Sequence, residues 1–219
     1  MTSNYFVEIN PGEKLEGIIN AKKAELIAFF GNELVNDSSK VGHLRDPPHF
    51  TLMGGRTGDL YTLTEKLKKI GDKFSRINYK IIGIEDNPVP GYLFEMRTVV
   101  AEKDRQKFKD LHLEVLESSL PFNTAGVYEK WEKGFEGEAL ENIKYCGFPV
   151  GRNLYKPHTS IGKVHKDLRG SIDHLMNESV FNPRGNFTTG NLIVWRLPFD
   201  KDDPTAVPIY HATIPLKEK

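Results

Sequence analysis

Two short segments carry the same pair of chemically useful side chains. The first is Pro48-His49-Phe50-Thr51-Leu52-Met53, and the second is Pro157-His158-Thr159-Ser160-Ile161-Gly162. In extended chain, residues i and i+2 point to the same face. His49 and Thr51 therefore share one face, and so do His158 and Ser160. An imidazole with an unperturbed pKa near 6.5 moves protons at neutral pH. A hydroxyl two residues away can donate to an anion's oxygen. Two such pairs across a cleft would suit phosphodiester cleavage: one imidazole takes the nucleophile's proton, the other protonates the leaving oxygen, and the hydroxyls hold the non-bridging oxygens. The residues do not say which histidine is the base and which the acid.

A third match, His211-Ala212-Thr213-Ile214, shows how common the bare pattern is, and it reads as a closing strand. His43, His112, His165 and His174 lack the tetrad, and surface roles are expected for them. Tyr155, Phe148 and Trp131 stand near the second motif in sequence and are the candidates for stacking on a base. Lys156 and Lys163 flank that motif and Arg56 follows the first, so one of them is expected to meet phosphate.

The elements that must position these residues alternate between strand and helix. Residues 5–9 are aromatic and β-branched and end at Asn10-Pro11-Gly12, a strand and a turn. Leu15, Ile18, Ile19, Leu26, Phe29 and Phe30 recur at helical spacing, with Gly31-Asn32 as a stop. Lys22 interrupts that stripe, and its apolar stem is expected to cover the core edge. The first histidine motif is a strand closed by Gly54-Gly55. A helix carrying Leu60, Leu63, Leu67 and Ile70 follows, then strands over 77–84 and 92–100, then a helix carrying Phe108, Leu111, Val115 and Leu116. Residues 121–151 break the pattern and read as an insertion or lid with one short helix. The second motif lies in a strand over 154–164, followed by a helix carrying Ile172, Leu175, Met176 and Val180 and closing strands over 191–197 and 208–216.

The two tetrads resemble those of the two-histidine (2H) phosphoesterase superfamily, the group of LigT-like 2',5'-RNA ligases and cyclic phosphodiesterases. The opening strand, turn and helix and the lead-in Tyr155-Lys156-Pro157-His158 are similar as well. Ser160 departs from the more usual Thr: it keeps the hydroxyl and loses the methyl that stiffens the rotamer. The resemblance implies an α+β fold, with residues 1–219 forming one bilobal domain of two pseudo-symmetric, antiparallel-rich lobes around a central cleft. It also implies an enzyme that cleaves 2',5'-linked, 2',3'-cyclic or 3',5'-linked phosphodiesters of short or cyclic oligonucleotides without metal or cofactor. His49 and His158 would be catalytic, and Thr51 and Ser160 would bind phosphate. RNA end-joining or end-trimming on the same fold is the alternative within the enzyme class. A nucleotide-binding module without turnover is the alternative outside it.

Composition sets outer limits. Thirty basic and 30 acidic residues balance, which disfavours a general binder of long nucleic acid but leaves room for a short oligonucleotide or an RNA end. A single cysteine, Cys146, excludes an intrachain disulfide and fits a cytoplasmic protein. No apolar run approaches a membrane span, the start lacks a signal-peptide pattern, and no obligate protein partner is evident. No phosphate-binding glycine loop, H-E-x-x-H or Gly-x-Ser-x-Gly motif occurs.

Overall fold

The computed structural model describes residues 3–89, 93–123, 135–177, 179–197 and 209–218. Two antiparallel sheets organise them. The first runs β3-β1-β8-β9, built from β1 (Ser3–Ile9), β3 (Phe50–Thr57), β8 (Leu192–Leu197) and β9 (Ile209–Ile214). The second runs β2-β6-β5-β4-β7, built from β2 (Val41–Gly42), β4 (Asn78–Val89), β5 (Leu93–Val100), β6 (Ser160–His165) and β7 (Gly185–Thr188). Helices α1 (Glu13–Val35), α2 (Leu60–Lys73), α3 (Glu102–Ser119) and α4 (Gly137–Cys146) accompany them, with single turns α5 (Lys166–Arg169) and α6 (Asp173–Met176). The fold is α+β, with one histidine motif on each sheet. No helix among the described residues is long and apolar enough to cross a membrane.

One face of each sheet is core. Tyr5, Val7 and Ile9 alternate inward on β1 and are fully buried, as are Leu192 and Val194 beside them. Phe50, next to His49, packs on Phe108 of α3 and Tyr79 of β4 at ring separations of 4.6 and 5.4 Å. Tyr79 and Phe108 also meet, at 5.2 Å, so one aromatic cluster joins the two sheets. Burying a ring of this kind contributes roughly 1.5–3 kcal/mol.

Several element boundaries differ from the sequence expectation. The break at Gly31 is real (φ 75, ψ 162), but the chain resumes its helix to Val35. Gly54 and Gly55 do not end β3. A Cβ at Gly54 would stand 2.6 Å from the Phe6 ring, so this glycine serves close packing inside the strand. The strand expected to end at residue 84 runs to Val89, pairing Glu85 to Val89 with β5. The helix expected around Ile172 is reduced to α5, a 3-10 turn and α6, with Val180 outside it and exposed. β7, an edge strand missed in the sequence, pairs with the start of β4. Within 121–151, the expected short helix is α4.

Candidate active site

Each motif begins two or three residues ahead of its strand, at a proline that fixes the entry, so His49 and His158 precede their strands by one and two residues. The His49 Nδ1 lies 2.8 Å from the Pro47 carbonyl, and the His158 Nδ1 lies 2.8 Å from the Lys156 carbonyl. A carbonyl only accepts, so each Nδ1 carries the proton and each Nε2 is left as the proton-exchanging atom. The two sites also share a backbone irregularity. Glu8 opposes Thr51 while Val7 opposes Met53, so Leu52 is the extra residue of a bulge. Arg97 opposes Ser160 while Met96 opposes Gly162, so Ile161 is the extra residue in the second motif. Both extra residues are fully buried. A bulge re-aims neighbouring side chains, and here it follows the hydroxyl residue in both lobes.

A buried carboxylate stands beside each histidine. Glu8 Oε1 is 3.3 Å from His49 Nε2, and Glu95 Oε2 is 3.7 Å from His158 Nε2. The carboxylates are 7% exposed each, whereas the imidazoles keep 22% and 29% of their side chains open, so a substrate can reach the rings. Both histidines are held below their ordinary pKa, chiefly by burial. His49 falls to about 4, with Lys23 and His43 adding to the effect and Asp46 opposing it.

The carboxylates differ from each other. Burial pushes Glu8 up to about 8; Asp46 adds to this and the Trp195 indole offsets part of it. Burial would also raise Glu95, but the charge on His158, the Ser160 hydroxyl, Lys163 and Arg97 together hold it below the usual carboxylate range.

The four residues expected to act fall into two groups. His49, Thr51 and Glu8 share the open face of the first sheet; His158, Ser160 and Glu95 share that of the second. Ser160 differs from expectation in one respect: its hydroxyl donates to Glu95 Oε1 rather than standing free for phosphate. Among the described residues, Thr51 makes no such bond.

Two contacts tie the segment ahead of the first motif to the second motif, and a third orders that segment. β2, just upstream of His49, pairs with β6 at Val41↔Val164 and Gly42↔Lys163. Leu44 seats on Gly162, where a Cβ would come within 2.5 Å of its Cδ2. Lys23 of α1, almost fully buried, donates to the carbonyls of His43 and Asp46 at 2.8 and 2.7 Å and fixes the loop entering the first motif. The five residue steps from Leu44 to His49 span at most about 17 Å, which limits how far His49 can stand from Gly162.

Other expectations are corrected. Tyr155 and Phe148 are 7% and 6% exposed and belong to the core, so neither offers a face to a base. Tyr155 stacks instead on His112. Trp131 lies outside the described residues, as does much of the expected lid. His112 is no surface residue; it is fully buried. Lys22 buries its stem as expected and donates to the Leu175 carbonyl at 2.9 Å. His211 is exposed on β9.

Sequence reasoning missed Glu8, Glu95, Trp195 and Tyr210. Glu8 had a signal: it is the one charge inside the run Tyr5-Phe6-Val7-Glu8-Ile9, on the face opposite the buried Tyr5, Val7 and Ile9. Trp195 lies on that same face, and its ring meets the exposed Tyr210 edge-on at 6.1 Å.

No protein-family model matches the chain, and no curated protein sequence matches it. Among solved structures, it is similar to TT0787 of Thermus thermophilus, with a TM-score of 0.56 at 11% identity over 99% of each chain. It is also similar to E. coli LigT complexed with NADP+, with a TM-score of 0.51 at 9% identity, covering 98% of this chain and 97% of that one. The likeness is one of fold: the chain has the two-sheet α+β fold of the LigT-like 2H phosphoesterases.

Proposed function

We propose that the protein is a metal-independent phosphodiesterase of the 2H type, with His49 and His158 as the proton-transfer pair. The observation that carries this reading is the repeated local construction. In both lobes a backbone carbonyl two residues upstream holds Nδ1–H and leaves Nε2 for chemistry, beside a hydroxyl and a buried carboxylate. A structural histidine has no need of that construction twice.

The substrate is a short or cyclic oligonucleotide, or an RNA end, with a 2',5'-linked, 2',3'-cyclic or 3',5'-linked phosphodiester. Balanced overall charge fits a small substrate better than long nucleic acid. LigT, which has the same fold, was crystallised with the dinucleotide NADP+. One neutral imidazole accepts the proton of the attacking hydroxyl or water, and the other site supplies a proton to the leaving oxygen. Thr51 donates to a non-bridging oxygen, where charge grows in the transition state.

The test is incubation with 2',5'-linked, 3',5'-linked and cyclic adenylates in EDTA, followed by product chromatography. Cleavage of at least one linkage is expected, with His49→Ala and His158→Ala each lowering kcat by roughly 10²–10⁴-fold. His211→Ala serves as the control and should be close to silent. Binding without product would leave a nucleotide-binding module, and activity lost in EDTA but restored by Mg²⁺, Mn²⁺ or Zn²⁺ would end the metal-free reading.

A further inference from the structure

The two histidine sites look alike until their carboxylates are compared. His49 Nδ1 is engaged by the Pro47 carbonyl, so Nε2 is the only ring nitrogen that can exchange a proton, and Glu8 Oε1 is 3.3 Å from it. The charged groups around this pair are few. From the loop before β3 come Asp46 and His43, from α1 comes Lys23, and β8 contributes the neutral Trp195 indole. The Lys23 ammonium is already bonded to the His43 and Asp46 carbonyls. Ionised Glu8 would thus add a buried negative charge near the half-exposed Asp46, and among the described residues His49 is the base in contact to receive its proton.

Around Glu95 the balance is reversed. The Ser160 hydroxyl donates to Oε1, Arg97 and Lys163 lie on the neighbouring positions of β5 and β6, and Glu85 of β4 is bound to Arg97 at 2.7 Å. This carboxylate needs no proton, and it sits 3.7 Å from His158 Nε2.

We propose that Glu8 and His49 hold one proton between them and form the donor half of the site, with Glu8 as the positioning residue that recharges His49, while Glu95 and His158 hold none and form the acceptor half. The inference rests on the phosphodiesterase reading above. The attacking oxygen bonds to phosphorus as its proton passes to His158 Nε2, next to the Glu95 carboxylate. The bond from phosphorus to the leaving oxygen breaks, its electron pair stays on that oxygen, and the oxygen takes a proton from His49 Nε2. That proton is the one the pair shares, delivered to Nε2 from the Glu8 carboxyl, so the step leaves both groups without it. Release of the His158 proton to water and uptake of one by the Glu8–His49 pair restore the starting state.

The experiment has two arms on the full-length protein. First, carboxyl-¹³C glutamate NMR follows Glu8 and Glu95 through a pH titration, assigned with Glu8→Gln and Glu95→Gln. Glu8 should titrate near pH 8 and Glu95 below the ordinary range. Second, kcat/KM is followed against pH for the parent, Glu8→Gln, Glu8→Asp and Glu95→Gln. Glu8→Gln should move the alkaline limb down by a pH unit or more and lower kcat about tenfold at pH 7.5, with KM nearly unchanged. Glu8→Asp should recover part of that shift, and Glu95→Gln should move the acidic limb instead. A Glu8 carbon that titrates below pH 5.5, or an alkaline limb unmoved by Glu8→Gln, overturns the inference. If no phosphodiester is turned over, the functional reading fails, and the NMR arm alone then decides whether the proton is shared.

Discussion

The imidazole of His112 lies flat on the ring of Tyr155, with centroids 4.1 Å apart and planes 3° from parallel. The same imidazole bridges two distant backbone groups. Its Nδ1–H donates to the Leu52 carbonyl at 2.6 Å, and its Nε2 accepts from the Arg152 N–H at 3.0 Å. Leu52 is the bulged residue of the first motif, and Arg152 and Tyr155 lead into the second. A buried helix residue thus fastens the two histidine segments to each other. His112→Leu leaves both backbone groups without their partner, and each such loss costs about 1–3 kcal/mol. A fall in stability of about 2–4 kcal/mol is expected from urea unfolding, with an unchanged m-value. A change below about 0.5 kcal/mol, the range of an ordinary surface substitution, would mean that His112 is not the fastener.

The same residue makes stability depend on acid. Burial holds His112 at about 4, opposed in part by the Leu52 carbonyl, whereas the unfolded chain titrates near 6.5. The unfolded state therefore binds more protons below pH 6.5. The stabilisation is complete above that value and is lost as pH falls towards about 4, up to about 3 kcal/mol. His49 and His158 act in the same direction. Glu8, protonated in the fold, acts in the opposite one, from the ordinary Glu range up to about 8. Urea midpoints at pH 7 and pH 4.5 should show the parent losing more stability than His112→Leu. Equal losses in the two proteins would exclude His112 as a source of the acid sensitivity.

What was legible in the sequence was local. The His-x-Thr and His-x-Ser spacing has a two-residue period, and a period of two already places both side chains on one face. The strands β1 and β5 and the helices α2 and α3 announce themselves by their own apolar periodicity. The carboxylates did not, because Glu8 and Glu95 acquire meaning only through pairing with residues 41 and 65 positions away, Glu8 with His49 and Glu95 with Ser160. Tyr155 and Phe148 failed as base-stacking candidates for the same reason. Closeness in sequence to His158 says nothing about which side of the backbone faces the core, and both rings turned inward. Gly54 misled in its own way: a glycine that admits the Phe6 ring within a strand looks, in sequence, like one that ends it.

A partly exposed aromatic pair lies on the first sheet, on the face that carries Glu8. Trp195 shares the open face of the first sheet with Glu8, and Tyr210 stands 56% exposed next to it. Stacking of a base on an aromatic ring is worth roughly 1–3 kcal/mol. Tyr210→Ala is the cleaner variant, since Trp195 also shields Glu8. It should raise KM for an adenylate substrate about fivefold or more and leave kcat within about twofold. An unchanged KM would remove Tyr210 from the substrate surface.

The two motif hydroxyls should behave differently despite their matching positions. The Thr51 hydroxyl makes no hydrogen bond among the described residues, so its proton is available to a phosphate oxygen. Ser160 gives its proton to Glu95. A preorganised donor in a dry site is worth about 2.7–4 kcal/mol, and an open cleft weakens it, so Thr51→Ala should lower kcat by roughly tenfold to a hundredfold at every pH. Thr51→Ser, which keeps the donor, should be mild. Ser160→Ala removes one of the groups that hold Glu95 ionised, so the pKa of Glu95 rises. A protonated Glu95 no longer supports the charge that His158 gains as it accepts a proton. The loss in Ser160→Ala should therefore grow as pH falls below 6 and shrink towards parent activity near pH 8. Measuring kcat across pH 5–8 for both variants separates the roles. Equal, pH-independent losses would mean that Ser160 turns from Glu95 to the phosphate in the working enzyme, and that the hydroxyls act as a symmetric pair.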